Sequence, residues 1–236
     1  MFKIISIICF AAGIALVVLL HFSGNESVRH WWQTYENYLS EMQMKVENMD
    51  NKGYLFLTLM FLFGFKAFWP LYPLSILCAA AGVVFPFYIA IPVNIAGMII
   101  HFTIKYLWGK RMGPGGVNLI LQKNETIRRL IRTEDAGNPW LLVVFRFVPF
   151  IPVNSVSQLY GSLGFSYRKF LLLSLSGYMP LLCSYTLVGR NAHNPLSAGF
   201  LIPLIVLAFA GAVISLIISV VLKYQKNRSE KNVSNQ

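Results

Sequence analysis

Residues 54–108 run for 55 positions with only two charges, Lys66 and Lys105. So apolar a run belongs in a bilayer, yet it is more than twice the ~20 residues that cross one as a helix. Gly64, Pro70, Pro73 and Gly82 interrupt it. The chain must therefore turn back inside the apolar layer. Bare irregular backbone in hydrocarbon is costly, so such a turn persists only where protein buries it or where it lines a watery cavity.

The remaining chain fits the same setting. Its 236 residues are 56% hydrophobic and 12% charged, with mean hydropathy +0.58, the balance of an integral membrane protein. Residues 1–22 read as an N-terminal transmembrane anchor, since "LLHFSGNES" offers a signal peptidase no good small-residue site. Residues 199–222 read as a C-terminal span. In the segment 23–53, Trp31, Tyr35, Tyr38, Met42 and Val46 share one helical face, suited to the membrane interface or to packing on the protein's own core. The segment 111–139 is a polar central loop with a short helix expected over 117–131. The tail 223–236 is expected to be disordered.

The formal net charge is +11, but the basic residues flank apolar segments, where membrane orientation explains them better than nucleic acid does. Cys9, Cys78 and Cys183 all lie in apolar segments at no metal-ligand spacing and read as packing residues. Neither a metal nor a cofactor is expected.

A second interrupted stretch, 140–163, copies the first. Pro70, Pro73 and Gly82 recur with identical spacing as Pro149, Pro152 and Gly161; with one position of slippage, Gly97, Gly109 and Lys110 recur as Gly177, Gly189 and Arg190. The core 54–190 then divides into repeat 1 (54–110), the central loop and repeat 2 (140–190), each repeat being a broken apolar segment followed by a clean span. If each broken segment enters and leaves on one side, the second copy is inverted. The expected fold is an all-α integral membrane protein, an inverted repeat of re-entrant helical hairpin plus transmembrane helix, with flanking N- and C-terminal spans. Charge sets the orientation. Seven Lys/Arg against three acids over 105–139, and four against one beyond Leu222, make both segments cytoplasmic, whereas 23–53, with three basic and five acidic residues, lies outside.

The stretch "FRFVPFIPVNSVSQLYGSLGF" (145–165) holds an arginine and two prolines. Pro149 and Pro152 would end one half-helix and start the next, as Pro70 and Pro73 would in repeat 1. Gly161, like Gly82, allows close helix packing. Two hairpins from opposite faces aim half-helix ends at the midplane, where exposed N–H groups favour an anion. Arg146 adds a permanent charge with a fork suited to phosphate, and Lys66 is its approximate counterpart. The plainer reading is that Arg146 snorkels or caps hairpin carbonyls. Asn154 can bond a ligand, though a structural bond to its own hairpin backbone is the plainer role. His101, with Lys105 one turn away, reads as structural rather than as a proton relay.

"FRFVPFIPVNSVSQLYGSLGFSYRKFLLLSLSGYMP", with an Arg before a Pro-x-x-Pro pair, then Asn, Gly, an aromatic and a later Gly-x-x-Pro, resembles the signature half of the SNARE-associated Golgi protein (VTT-domain) family of the DedA superfamily. The resemblance extends over about 54–190. It implies opposed re-entrant hairpins and movement of lipids across bilayers, polyprenyl-phosphate carriers in bacteria or phospholipids in eukaryotic relatives. It puts the family's arginine at Arg146 and its hairpin prolines at Pro149 and Pro152. One departure stands out: all nine Asp and Glu lie in loops and tail, so the carboxylates that acidic-type bacterial relatives carry at the first hairpin have no equivalent here.

The function expected is therefore a lipid translocase, flippase or scramblase, for an anionic phosphate-bearing lipid. The site residues are Arg146, Pro149, Pro152, Asn154, Gly161, Lys66, Pro70, Pro73 and Gly82. The alternative is a small-solute or ion transporter on the same scaffold. An enzyme is disfavoured by the lack of paired membrane carboxylates, of H-E-x-x-H and of any Ser-His pairing, and "GKRMGPGG" lacks the G-K-[ST] of a phosphate loop. The partners expected are membrane lipids and no nucleic acid, a homo-oligomer is compatible with the sequence, and the expected location is a bacterial plasma membrane.

Overall fold

A computed structural model describes residues 2–22, 37, 41, 44, 52–69, 72–124, 127, 128, 131, 137–148 and 151–234, with side chains described for most of them as far as 220. Every regular element in them is helical: α1 (Phe2–Phe22), α2 (Lys52–Phe68), α3 (Leu74–Val84), α4 (Phe87–Lys123), α5 (Pro139–Phe147), α6 (Val153–Ser162), α7 (Tyr167–Arg190) and α8 (Ala198–Ser234). Three stretches are long and apolar enough to cross a membrane, Phe87–Lys123, Tyr167–Arg190 and Ala198–Ile217. Their lipid-ready surfaces are legible in exposed Leu172, Val206, Val213 and Ile217, apolar side chains that water would not tolerate in such density. This is a multi-pass membrane protein.

Prolines mark the helix starts at the two breaks, whereas Pro92, Pro180 and Pro203 lie inside helices. Pro73 caps the start of α3 and Pro152 the start of α6, each in an extended conformation that fixes the chain's entry to the helix. Upstream, α5 ends at Phe147, just short of Pro149, because the residue before a proline is driven out of the helical region. Pro70 and Pro149 themselves lie outside the described residues.

Contacts between the halves are reciprocal. Helix α3 packs on α7 and α6 packs on α4, so each short helix after a break rests on the long helix of the other half. Gly82 abuts the carbonyl of Thr186 and the amide of Arg190; Gly161 abuts the carbonyl of Tyr106 and the amide of Lys110. Likewise Gly109 lies on the backbone of Gln158 and Gly189 on that of Ala79. A Cβ at any of the four would overlap backbone, and backbone cannot swing aside as a side chain can. Glycine is required there by helix approach, not by backbone torsion.

The direction of α2 follows from its contacts. The Phe63 ring covers Gly97, the Phe63 carbonyl is 3.4 Å from His101 Nδ1, and the Phe68 and Trp108 rings are 6.1 Å apart. Hence α2 runs alongside α4 in the same sense, and α3 returns to the start of α4. Between the halves sits an apolar core in which Phe63, Met98, Phe102 and Phe170 are fully buried. Helices α1 and α8 pack on each other, joined by the Ser6 hydroxyl donating to the Ala212 carbonyl at 2.9 Å and by Phe10 edge-on to Phe209, and α8 packs in turn on α7.

Three sequence expectations change. The helix expected to start at 117 starts earlier: α4 is two helical stretches that meet at a kink at Gly113, whose φ of 60° only glycine adopts cheaply, and the second runs to Lys123. The C-terminal segment, expected to be irregular, prolongs α8 to Ser234. Asn154 does not turn back on its own backbone; its partner is His101 on α4. The aromatic stripe from Trp31 to Val46 falls outside the described residues.

Candidate functional site

A cavity of about 290 Å³ lies where the two breaks face each other. Lys66 from the last turn of α2 and Pro73, Leu74 and Ser75 from the start of α3 form one wall. Arg146, from the last turn of α5, and Pro152, Val153 and Asn154, from the start of α6, form the opposing wall, with Tyr178 and Tyr185 of α7 alongside. Neither α3 nor α6 has a side chain capping its first turn, so the partial positive charge of both helix starts is directed at this space.

Arg146 is the structural centre of the site. It is 1% exposed, so it does not snorkel. One terminal nitrogen donates to the Val153 carbonyl at 3.0 Å; the other donates to Ser157 Oγ at 2.8 Å and Ser174 Oγ at 3.1 Å. The guanidinium also lies over the Phe102 ring, 4.2 Å from its centre. These contacts tie both limbs of the 139–162 segment to α7 and α4. Capping Val153 is therefore part of its role, but Nε remains buried without a partner, and none of its partners is an anion.

Lys66 is buried too and forms no hydrogen bond or ion pair with a described residue; its ammonium lies 5.8 Å from the centre of the Tyr72 ring. Lys105 is also buried, its ammonium 5.1 Å from the Trp108 ring. Among the described residues the buried charges are all cationic. Burying cations without a counterion costs several kcal/mol each, a cost that an anionic ligand would offset.

Asn154 is held from behind. In the tautomer carrying its proton on Nε2, His101 donates to Asn154 Oδ1 at 2.8 Å. This orients the amide at the cavity wall and gives the fully buried His101 a positioning role. Gly82 and Gly161 are not in the cavity lining; they set the helix approach that brings the walls together. Pro73 and Pro152 are in it, whereas Pro70 and Pro149 belong to the stretches outside the described residues.

Sequence reasoning passed over Ser157, Ser174, Tyr178 and Tyr185. Ser174 carried a signal, as a hydroxyl in "LLLSLSGYMP" at the repeat position of Asn94, the one amide of the α4 apolar span. Asn94 makes the corresponding link in the first half, donating to the Cys78 carbonyl at 3.1 Å and to Thr186 Oγ1 at 2.9 Å.

Fold and site together define an all-helical membrane protein with a cationic cavity walled by two interrupted helical segments. The chain belongs to the VTT-domain family, that of the DedA and SNARE-associated Golgi proteins: the VTT domain model matches residues 72–191, 120 of the 236. Arg146 lies within that match and Lys66 before it. No curated protein and no solved structure matches the chain.

Proposed function

We propose that this protein is a lipid translocase that passes an anionic, phosphate-bearing headgroup through the cavity between the two breaks while the hydrocarbon chain stays in the bilayer. In this reading residues 52–84 and 139–162 are re-entrant hairpins entering from opposite faces, and the two halves are an inverted repeat. The parallel course of α2 and α4, the short α5 and the reciprocal glycine contacts support it. No covalent chemistry is involved, and a bacterial plasma membrane is the proposed location.

The observation that carries the reading is the pair of buried cations, Lys66 and Arg146, facing one cavity beside two uncapped helix starts, with no acid among the buried described residues. Phosphate meets such a site with charge, and with oxygens for the Arg146 Nε–H, the Asn154 amide and the free N–H groups of the first turns.

The test is headgroup-resolved movement of labelled lipids in proteoliposomes. Faster transfer of anionic phosphate lipids than of neutral glycolipids is expected. Solute flux that ignores lipid headgroup would instead favour the small-solute transporter, and no transfer of any lipid would reject the proposal.

A further inference from the structure

A second concavity, of about 500 Å³, shares no lining residue with the first. It lies on the outer side of α4, between Phe68 at the end of α2 and a stripe of Ile104, Leu107, Trp108, Arg111 and Met112. From Ile104 to Met112 the stripe rises about 12 Å. Phe68, Leu107 and Trp108 are 61%, 49% and 44% exposed, and α4 is one of the helices able to span a membrane, so the groove opens to lipid.

Apolar walls alone would receive any acyl chain. What distinguishes this groove is its end, where Arg111 is exposed and forms no ion pair with a described residue, and where Lys110 adds a second exposed cation. Lys105, buried and outside the groove's lining, places a third positive charge 5.1 Å from the centre of the Trp108 ring. Apolar wall and cationic end follow one another along one helix face, the order of chain and phosphate in a lipid.

We propose that this groove seats an anionic phospholipid of the leaflet reached by the C-terminal end of α4, its chain against Phe68, Ile104, Leu107 and Met112 and its phosphate on the Arg111 fork. The fork donates to two phosphate oxygens at once, a contact that a bulk lipid passing an apolar helix does not make. The occupant is a resident lipid, and the site stands or falls independently of transport through the central cavity.

Trp108 lies in the groove and reports on it. Of the five tryptophans, Trp31, Trp32, Trp69 and Trp140 are replaced by Phe in the full chain, leaving Trp108. The protein is reconstituted in bilayers mixing unlabelled lipid with phosphatidylglycerol or phosphatidylcholine brominated on the acyl chain, and Trp108 quenching is read against mole fraction. The expected result is an affinity about fivefold higher for the phosphatidylglycerol, corresponding to the ~1 kcal/mol that one basic residue contributes near an anionic membrane surface. Arg111→Gln should bring the ratio to about one at unchanged maximal quenching, the fork being lost while the apolar walls remain. Equal quenching by both lipids in the parent overturns the proposal. So does a preference that survives Arg111→Gln, or one lost equally in Lys110→Gln, since either would reduce the effect to diffuse surface charge.

Discussion

The Tyr160 hydroxyl donates to the main-chain carbonyl of Asn138 at 2.7 Å, tying the last turns of α6 to the residue that caps α5. Asn138 thereby serves both limbs, since its side chain also accepts from the Trp140 amide at 3.0 Å. The break at 148–152 lies at the far end of two short helices whose other ends touch. The 9 residues of α5 extend only about 13 Å, under half the hydrocarbon thickness.

Single cysteines at positions 138 and 167 should therefore react with an impermeant thiol reagent from the same side, and position 123 with them. Position 36 should react from the opposite side, as the charge distribution requires. Labelling of 138 and 167 from opposite faces would make the 139–162 segment an ordinary kinked span.

Gly161→Ala should destabilise the folded protein by at least the ~1–3 kcal/mol typical of overpacking, because the added carbon meets the Tyr106 carbonyl. Gly82→Ala should do the same against Thr186. Gly115→Ala, which meets nothing within 4 Å, serves as the control and should be neutral. Thermal unfolding in detergent measures all three; equal behaviour of the three variants would contradict the close helix approach.

Arg146→Lys keeps a charge but cannot reproduce three hydrogen bonds from a planar fork, so transport should fall by a factor of ten or so, one charge-assisted contact being worth about 1.5–3 kcal/mol. Arg146→Ala should abolish it and also lower the yield of folded protein, leaving the Ser157 and Ser174 hydroxyls without their donor. Wild-type transfer rates in well-folded Arg146→Ala protein would remove the headgroup role.

Lys66→Met should separate function from stability. Lys66 is buried with no bonded partner among the described residues, so a volume-matched apolar side chain removes a desolvation cost and should leave the melting temperature unchanged or higher. Lipid transfer should nevertheless drop, since one of the two cavity cations is gone. Unaltered transfer would confine headgroup binding to the Arg146 wall.

Asn154→Ala should slow transfer less than Arg146→Ala, and His101→Phe should mimic it, if His101 acts by orienting the Asn154 amide. A His101→Phe variant slower than Asn154→Ala would assign His101 a part of its own.

What the sequence determined by itself is the set of elements and their breaks. Apolar run length fixes which segments meet lipid, and the prolines at 73 and 152 suit helix starts because their constraint is local, although Pro92, Pro180 and Pro203 lie inside helices. The near-constant offset between the two copies also announced that Gly82 and Gly161, or Gly109 and Gly189, share an environment. What that environment is could not be read locally: each glycine answers to backbone far along the chain in the other half, and only the packing of α3 on α7 and of α6 on α4 chooses it. The same holds for the site. An arginine before a proline pair was visible as an anomaly, but whether it reached solvent, lipid or a cavity depended on Ser157, Ser174 and Phe102, three side chains on three helices. Buried charge is tolerated only where several such groups converge, and convergence is a property of the tertiary fold.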